Sequence, residues 1–210
     1  MWQRNLLYYC YCSSIRMSRT PDPAKQALRE KVATKIAQLS ADEKKRQSEI
    51  VYEKVINHPF YKSAQRIAIF MSTDEEIDTK PMIVHIKAKG AAAFVPQYAG
   101  GKMKMLRLEP DDEQTMPLTR HGIKQHSKDQ HREDALDKGL DLIIAPGVAF
   151  SSSGGRVGHG GGYYDKYITH LRANPNPPKI LAVAFNCQVV DKVPMNEQDQ
   201  KIDGVVFADD

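Results

Sequence analysis

The chain has 210 residues, of which 41% are hydrophobic and 27% charged, and this length suits a single domain that buries a large core without disulfides or metal. Lys and Arg number 30 against 26 Asp and Glu, which gives a formal net charge of +4. That mildly basic balance falls short of the clustered positive charge of a nucleic-acid-binding protein, but it suits an anionic small molecule as ligand. No apolar stretch approaches the length that spans a bilayer, which excludes an integral membrane protein.

Residues 1–20 differ in composition from the rest of the chain. They contain several arginines and no acidic residue, which is typical of an organelle transit peptide. A disordered tail, or a working start at Met17, also fits this composition. The three cysteines of the chain form no Cys-x-x-Cys pair, which argues against a disulfide framework and indicates a reducing compartment. We therefore expect residues 21–210 to form one domain in the cytoplasm, or in mitochondria if residues 1–20 act as a transit peptide.

The domain opens with two predicted helices. The first begins at Pro23, and its apolar residues recur at spacings of four, four and three, at Leu28, Val32, Ile36 and Leu39. Ser40 and Glu43 are spaced as a capping box, in which Ser40 accepts a hydrogen bond from the Glu43 amide and the Glu43 side chain reaches back. The second helix then runs to about Asn57, and Pro59 ends it.

Short apolar stretches alternate with helices along the rest of the domain. Predicted strands cover residues 66–71, 91–95, 103–108, 140–145, 180–185 and 205–207. Pro96 is expected to break the pairing of the second strand, and residues 103–108 alternate as an edge strand does. Helices are predicted over about residues 79–89 and after the loop that ends near Tyr164. This alternation predicts a single α/β domain with three layers, α/β/α, around a mostly parallel sheet.

A polar segment, residues 111–132, interrupts this pattern and is predicted to consist mainly of loops. His121, His126 and His131 recur within it every five residues. That spacing fits neither one face of a helix nor a known pattern of metal ligands. We interpret the three histidines as solvated loop residues rather than as a metal site.

A glycine-rich segment after the strand of residues 140–145 carries the clearest chemical signal. Its glycines can adopt positive φ and leave no Cβ in the way of a ligand; they are Gly158, Gly160, Gly161 and Gly162. In an open α/β sheet ligands bind outside the carboxyl ends of the strands, where this loop falls. Its backbone amides and the N-terminus of the next helix can hold an anion. The segment matches neither the Walker A nor the dinucleotide-binding spacing, so it predicts a phosphate-binding loop, with a tight turn that binds nothing as the alternative.

Two charged residues border the glycine-rich loop. Arg156 precedes it and can supply a forked donor to phosphate or carboxylate. Asp165 follows it in the first turn of the next helix. There it either complements the helix dipole or binds magnesium beside the phosphates.

The loop resembles the signature of the 5-formyltetrahydrofolate cyclo-ligases, also called 5,10-methenyltetrahydrofolate synthetases; it reads Arg156-Val-Gly-His-Gly-Gly-Gly-Tyr-Tyr-Asp165 here. Three shorter blocks also resemble that family, at residues 24–30, 69–76 and 193–199. The resemblance covers residues 23–207, nearly everything but the N-terminal segment.

The resemblance implies an ATP-dependent ring closure. The formyl oxygen of 5-formyltetrahydrofolate attacks the γ-phosphate of ATP to give an N5-iminium phosphate, and N10 then attacks the activated carbon as phosphate leaves. The products are 5,10-methenyltetrahydrofolate, ADP and phosphate. The resemblance further implies Mg²⁺ as cofactor and a folate with or without a polyglutamate tail. We expect a monomer, and the composition argues against nucleic-acid and membrane partners.

The same resemblance implies roles for individual residues, with Arg156 and Asp165 as the catalytic ones. The implied ATP-binding residues are Lys25, Arg29, Arg156, Val157, Gly158, His159, Gly160, Gly161, Gly162, Tyr163 and Tyr164. The implied folate-binding residues are Met71, Glu76, Tyr98, His159, Gly160, Gly161, Gly162 and Tyr163. The implied magnesium ligands are Asp165 and Asp199. Without the resemblance, Lys25 and Arg29 are an ordinary solvated i, i+4 pair, Met71 a core residue and Glu76 a solvated loop carboxylate.

Two positions of the loop depart from the family pattern. His159 stands where animal relatives carry Arg, and Gly161 stands where they carry Lys, so the loop of this chain has less positive charge at neutral pH. We expect activity to be kept and His159→Arg to tighten ATP binding.

Two alternative functions stay open at this point. One is an enzyme on a similar scaffold that acts on a sugar phosphate or a CoA ester, because a fold does not fix a function. The other is a non-catalytic protein that binds nucleotide or RNA. The chain shows neither an RRM signature nor aromatic residues interleaved with a basic stripe, which disfavours RNA binding.

Overall fold

The computed structural model of the protein describes residues 22–119 and 122–209. The N-terminal segment of residues 1–20 and the predicted loop residue His121 lie outside the described residues. The described helices are α1 Pro23–Ala37, α2 Ala41–Asn57, α3 Pro59–Ser63, α4 Lys80–Ala88, α5 Asp112–Thr115 and α6 Tyr163–Arg172. The described strands are β1 Arg66–Ile69, β2 Ala92–Ala99, β3 Lys102–Arg107, β4 Leu142–Ala145, β5 Ala149–Phe150, β6 Arg156–Val157, β7 Lys179–Val183 and β8 Gly204–Val206.

Six of these strands form one sheet in the order β3-β2-β1-β4-β7-β8. Every neighbouring pair is parallel except β2 and β3, which are antiparallel, so β3 is the edge strand that the sequence predicted. All four residues of β4 are buried, as expected of a strand that is covered on both faces. The mostly parallel α/β sheet is therefore confirmed.

The two faces of the sheet have separate apolar cores, because successive strand residues point to opposite sides. On one face Leu142 and Ile144 of β4 belong to the core that also holds apolar residues of α1, α2 and α4. On the other face Ile143 and Ala145 belong to the core that holds the apolar side of α6. This arrangement gives the three predicted layers. Among the described helices, none is long and apolar enough to cross a bilayer.

The first two helices begin at side-chain caps. The Asp22 carboxylate accepts from the amides of Ala24 and Lys25, and the Ser40 hydroxyl accepts from the Glu43 amide at 3.1 Å. The second half of the predicted capping box is wrong, because the Glu43 carboxylate accepts two hydrogen bonds from Arg46, at 2.7 and 2.8 Å, instead of reaching back. Forked, charge-assisted bonds to a guanidinium are stronger than one bond to a backbone amide.

Pro96 lies inside β2, whereas the sequence predicted that it would break the pairing of that strand. It faces Met105 of the antiparallel neighbour β3. The amide of Leu108 donates to the carbonyl of Ala93 at 2.8 Å, and antiparallel bonding alternates along a strand, so the nitrogen of Pro96 points away from β3. Pairing of β2 with β1 has already ended at Phe94. The missing N–H of the proline therefore removes no bond from the sheet.

His126 is buried, with 1% of its surface exposed, whereas the sequence predicted a solvated histidine. Its Nδ1 lies 3.1 Å from Oε1 of Gln130, and Gln130 donates to Asp112 at 3.0 Å. Arg132 donates to both oxygens of Asp112, at 3.0 and 2.6 Å, and this ion pair holds the pKa of Asp112 below its usual value. A local polar network thus buries part of the segment. His131 is exposed, as predicted.

Candidate active site

The glycine-rich loop lies between a short hairpin and α6, beyond the carboxyl end of the buried strand β4. Strands β5 and β6 form the hairpin, which the sequence did not predict, and Arg156 opens its second strand. Gly160 has a φ of +104° and Gly162, the N-cap of α6, a φ of +65°. L-residues with side chains disfavour both conformations, so the glycines let the chain turn sharply into the helix. The loop therefore brings backbone amides and a helix N-terminus to one place.

Arg156 is buried at the base of this loop, with 4% of its surface exposed. One Nη donates to the Pro146 carbonyl at 3.2 Å, and the other lies 3.2 Å from a carboxylate oxygen of Asp165. Its Nε is buried and has no hydrogen-bond partner among the described residues. A buried donor without a partner is costly, which is the state expected of a group that binds a ligand anion.

Helix α1 supplies two more cations to the same place. Lys25 is buried and forms an ion pair with Asp199, which is 174 positions away in the chain. One turn later, Nε of Arg29 donates to the Gly158 carbonyl at 2.8 Å. The structure therefore brings together Lys25, Arg29 and Arg156, which the sequence could group only through the family resemblance.

The two predicted magnesium ligands are connected through the backbone. The amide of Gln200 donates to Oδ1 of Asp165 at 3.1 Å, and Gln200 follows Asp199 directly. Asp199 uses Oδ2 both for Lys25 and for the Asn196 amide. The second oxygen of each carboxylate has no hydrogen bond in the described part of the chain. Two such oxygens suit a hard cation that takes its remaining ligands from phosphates and water, although no group of three or more His, Cys, Asp or Glu side chains occurs among residues 22–119 and 122–209.

A carboxylate and several tyrosines border the other side of the loop. Oε2 of Glu76 accepts from the amide of Thr73 at 2.9 Å and from its hydroxyl at 3.0 Å, and burial raises the pKa of Glu76. The rings of Tyr98 and Tyr163 meet edge to face, with centroids 5.0 Å apart. Burial, followed by the charge of Glu76, raises the pKa of Tyr98. Glu76 and Tyr98 thus lie in one partly desolvated region, close enough to Arg156 for its charge to act on the Tyr98 hydroxyl.

Comparison with known proteins agrees with this geometry. The model of the 5-formyltetrahydrofolate cyclo-ligase family matches residues 21–208. The chain belongs to that family. It is 37% identical to the 5-formyltetrahydrofolate cyclo-ligase of Mus musculus over 195 residues, which cover 90% of this chain and 96% of the mouse protein. It is 36% identical to the probable cyclo-ligase of Caenorhabditis elegans over 190 residues, 87% of this chain and 92% of the relative.

A solved cyclo-ligase structure has the same fold. The NMR structure of 5,10-methenyltetrahydrofolate synthetase from Aquifex aeolicus superposes with a TM-score of 0.74 at 27% identity, covering 89% of this chain and 90% of that one. The family resemblance of the sequence and the prediction of an enzyme are therefore confirmed. The alternatives of a sugar-phosphate or CoA-ester enzyme and of a non-catalytic binding protein lose their support.

His159 and Gly161, the two positions expected from the sequence to depart from the family pattern, both lie in the loop. His159 is exposed. The pKa of its imidazole is nevertheless lowered, because the surroundings partly desolvate the ring and the guanidinium groups of Arg29 and Arg156 repel its charged form. A Cβ at Gly161 would lie 2.8 Å from the ring of Tyr163. A larger residue at position 161 would therefore move that tyrosine.

Three other predicted residues of this cyclo-ligase have buried or half-buried side chains. Val157 packs in the core and its carbonyl accepts from the Val148 amide at 2.7 Å, so its side chain does not face the loop interior. Met71 is half-buried against the same core. Tyr164 is buried under Arg156, whose Cζ lies 5.5 Å from the ring centroid. Burial, followed by the nearby Tyr98, raises the pKa of the Tyr164 hydroxyl.

Two residues that orient the carboxylates of this cyclo-ligase were not predicted from the sequence. Thr73 holds Glu76 through two hydrogen bonds, and the spacing Thr-x-x-Glu is a signal that could have indicated it. Gln200 holds Asp165 through a backbone amide. No side-chain pattern signals a contribution of that kind.

Proposed function

We propose that this protein uses ATP and Mg²⁺ to convert 5-formyltetrahydrofolate to 5,10-methenyltetrahydrofolate, with release of ADP and phosphate through an N5-iminium phosphate. One observation carries the proposal. It is the buried Arg156, whose Nε has no partner among the described residues, at the base of a glycine loop that ends in a helix N-terminus. A forked cation next to converging amides suits a polyphosphate.

Phosphoryl transfer depends mainly on positioning and on neutralising charge, so it needs no covalent nucleophile from the protein. Lys25, Arg29 and Arg156 supply three positive charges around the loop. Their partners Asp199 and Asp165 hold two of these cations in place before ATP binds. The phosphates would then take over the hydrogen bonds that the cations now share with carboxylates and with backbone carbonyls.

The folate would lie on the side of Glu76 and Tyr98. The amino and N–H groups of a pterin are donors, and the Oε1 oxygen of Glu76 is available to accept from them, because Thr73 engages Oε2. The ring pair of Tyr98 and Tyr163 offers an aromatic surface next to the loop. In this position the formyl oxygen would face the γ-phosphate. Attack on phosphorus breaks the bond to ADP, and attack by N10 on the activated carbon then releases phosphate.

Asp165 and Asp199 would hold the magnesium ion in this proposal. Each carboxylate has one oxygen engaged by the protein and one left for a cation within the described residues. A bound Mg²⁺ would neutralise charge on the phosphate oxygens. Asp165 also orients Arg156, so its removal would affect both metal and phosphate.

The proposal is tested by an absorbance assay at neutral pH with (6S)-5-formyltetrahydrofolate, ATP and Mg²⁺, following the near-ultraviolet band of the methenyl product. ATP is omitted in one control, because acid alone closes this ring. Asp165→Ala is expected to lower kcat/KM by about 100-fold or more, while Asp191→Ala, at an exposed carboxylate, leaves it unchanged. A flat trace with folded wild-type protein would contradict the proposed function.

We also propose that the protein acts as a monomer in the cytoplasm. The large hydrophobic side chains exposed in its described part include Val84 in α4, Leu118 in the loop after α5 and Leu136 in the segment before β4. Scattered apolar residues of this kind are ordinary on a monomer. Sedimentation equilibrium tests the oligomeric state. Microscopy of fluorescent fusions, with and without residues 1–16, tests the alternative of mitochondrial import.

A further inference from the structure

We propose that Gln125 is a positioning residue for 5-formyltetrahydrofolate that acts by holding Tyr98; this inference rests on the proposed function. The amide of Tyr98 donates to Oε1 of Gln125 at 2.9 Å, and Nε2 of Gln125 donates to the Tyr98 carbonyl at 3.2 Å. One side chain thus binds both backbone groups of one residue, as a neighbouring strand would.

These two hydrogen bonds occur where the sheet leaves β2 without a neighbour. Strand β1 pairs with β2 only as far as Phe94. The alternation of antiparallel bonds turns the backbone groups of Pro96 and Tyr98 away from β3, toward the side that β1 no longer covers. Pro96 has no N–H to satisfy. Gln125 therefore pairs the backbone groups of Tyr98 that the sheet leaves open.

Gln125 is held in place by its own surroundings. Its backbone N–H donates to the Pro117 carbonyl at 3.2 Å. In return, the buried side chain of Gln97 donates to the carbonyls of His126 and Ser127, at 3.3 and 2.8 Å. Two glutamine side chains thus cross-link the segment of residues 125–127 with the end of β2, one in each direction. In the same segment, Nδ1 of His126 lies 3.1 Å from Oε1 of Gln130, whose side chain donates to the buried Asp112.

Tyr98 belongs to neither of the two apolar cores of the sheet, so hydrogen bonds at the strand end hold its backbone. Its surface is 36% exposed, and it lies one residue from the end of β2. Its ring meets Tyr163 of the glycine loop edge to face, and the charge of Glu76 acts on its hydroxyl. Fraying at this strand end would therefore move the aromatic surface that lies between the loop and the Glu76 carboxylate. We expect folate binding, rather than nucleotide binding, to depend on Gln125.

The experiment compares Gln125→Ala with wild-type protein in the ring-closure assay, with each substrate varied in turn. The KM for 5-formyltetrahydrofolate is expected to rise about five- to tenfold, since two hydrogen bonds that hold Tyr98 are lost. The KM for ATP, kcat and the thermal midpoint are expected to stay near the wild-type values. Gln125→Glu keeps the acceptor for the Tyr98 amide and should give an intermediate KM. Gln114→Ala, at an exposed glutamine of α5, is the matched control.

A double-mutant cycle separates positioning from general stabilisation. In a Tyr98→Ala background, Gln125→Ala should change the KM for folate by less than about twofold, because the ring that Gln125 positions is absent. Equal rises in both KM values, or the same folate effect with and without the Tyr98 ring, would overturn the inference and leave the proposed function intact. Absence of ATP-dependent turnover in wild-type protein would overturn both.

Discussion

Each of the two buried cations of the site is already paired with a carboxylate. Lys25 pairs with Asp199 and Arg156 with Asp165, and all four side chains are at most 11% exposed. Breaking a buried pair by removing one partner leaves an uncompensated charge, which is strongly destabilising. Asp165 and Asp199 therefore have two roles. They stabilise the ligand-free protein, and in the proposed function they bind the metal that accompanies the phosphates.

Glu76→Gln is expected to stabilise the ligand-free protein while weakening folate binding. Burial raises the pKa of Glu76 above its usual 4.5, so the native state binds the proton more tightly than the unfolded state. The free energy of unfolding therefore falls as the pH rises from about 4.5 through the raised pKa, and the glutamine avoids this loss. Thermal unfolding of wild type and variant from pH 4 to pH 8 measures this loss of stability. The extra stability of Glu76→Gln over wild type should vanish near pH 4. The control Glu75→Gln should show no extra stability at any pH. A Glu76→Gln protein that is less stable than wild type at pH 7 would refute the argument.

His159→Arg is expected to lower the KM for ATP about two- to fivefold at neutral pH, because it adds a permanent charge beside the phosphates. The pKa of His159 is lowered by desolvation and by Arg29 and Arg156, so the wild-type ring is mainly neutral there. Wild-type affinity should rise as the pH falls through that pKa, and the advantage of the variant should shrink. The ratio of the two KM values between pH 5 and pH 8, a range that extends below the usual pKa of 6.5, isolates the effect from protonation of ATP itself. His170→Arg, at an exposed histidine of α6, is the control, and an unchanged or higher KM in the variant would contradict the prediction.

At the scale of elements, the glycine loop and α1 meet through a backbone carbonyl. Arg29 of α1 donates to Gly158, and Gly162 begins α6 in the left-handed region. The loop is thus held between two helices that pack on opposite faces of the sheet. Its shape depends on glycine conformation at one end and on a long side chain at the other.

Gly162→Ala is expected to lower the free energy of unfolding by about 1–2 kcal/mol, the cost of left-handed geometry for a residue with a Cβ. Gly162→Asn should cost less, because Asn visits that region and also caps helices. Chemical denaturation without ligand measures both. Gly101→Ala, at a turn with a φ of +75° and open space around it, should lose similar stability but keep the wild-type KM for ATP. Equal losses for Ala and Asn at position 162 would show that the left-handed conformation is not the cause.

Much of the fold follows from local pattern, and the exceptions depend on contacts between residues that are distant in the sequence. The all-apolar run of β4 and the stripe of α1 identified those elements because burial dictates both periods. Pro96 was misjudged because its effect depends on where β1 ends, which no local pattern reveals. His126 was misjudged because the buried network around Asp112 is built from polar residues that resemble a solvated loop.

The site was less predictable than the fold. Composition and spacing alone predicted an anion site in the loop, whereas the roles proposed for Lys25, Glu76 and Asp199 came from the family resemblance. The pair of Lys25 and Asp199 joins residues 174 positions apart, and single-sequence periodicity carries no information at that range. Gln125 gave no signal at all, because a glutamine in a polar loop is ordinary until the strand end beside it is known.

At the scale of the whole molecule, metal and nucleotide are expected to stabilise the protein jointly. A nonhydrolysable ATP analogue with Mg²⁺, each at about 100 times its Kd, should raise Tm by about 5–10 °C. Nucleotide alone would leave two carboxylates facing phosphates, and Mg²⁺ alone would compete with Lys25 and Arg156 for Asp199 and Asp165. Each should therefore give less than half of the joint shift, as measured by differential scanning calorimetry.

Asp199→Asn tests this coupling, and Asp191→Asn is its control. Asp199→Asn should lower the ligand-free Tm, because the buried Lys25 loses its counter-charge, and nucleotide without Mg²⁺ should restore much of the loss. The difference between joint and separate shifts should shrink only in this variant. Simple addition of the two shifts in wild-type protein would argue against any linkage between the two ligands.

The ion pair between the first helix and Asp199 has a consequence for how the chain is made. A ribosome releases α1 early, and α1 then carries Lys25 and Arg29 without the segment that completes their surroundings. The site cannot close until Asp199 has emerged, when nearly all of the sheet is already available for pairing. A chain truncated shortly before Asp199 would thus contain most of the core, but Lys25 would lack the carboxylate that pairs with it. The first helix of such a product could still pack on the core through Val32 and Ile36, but the counter-charge of Lys25 would be missing.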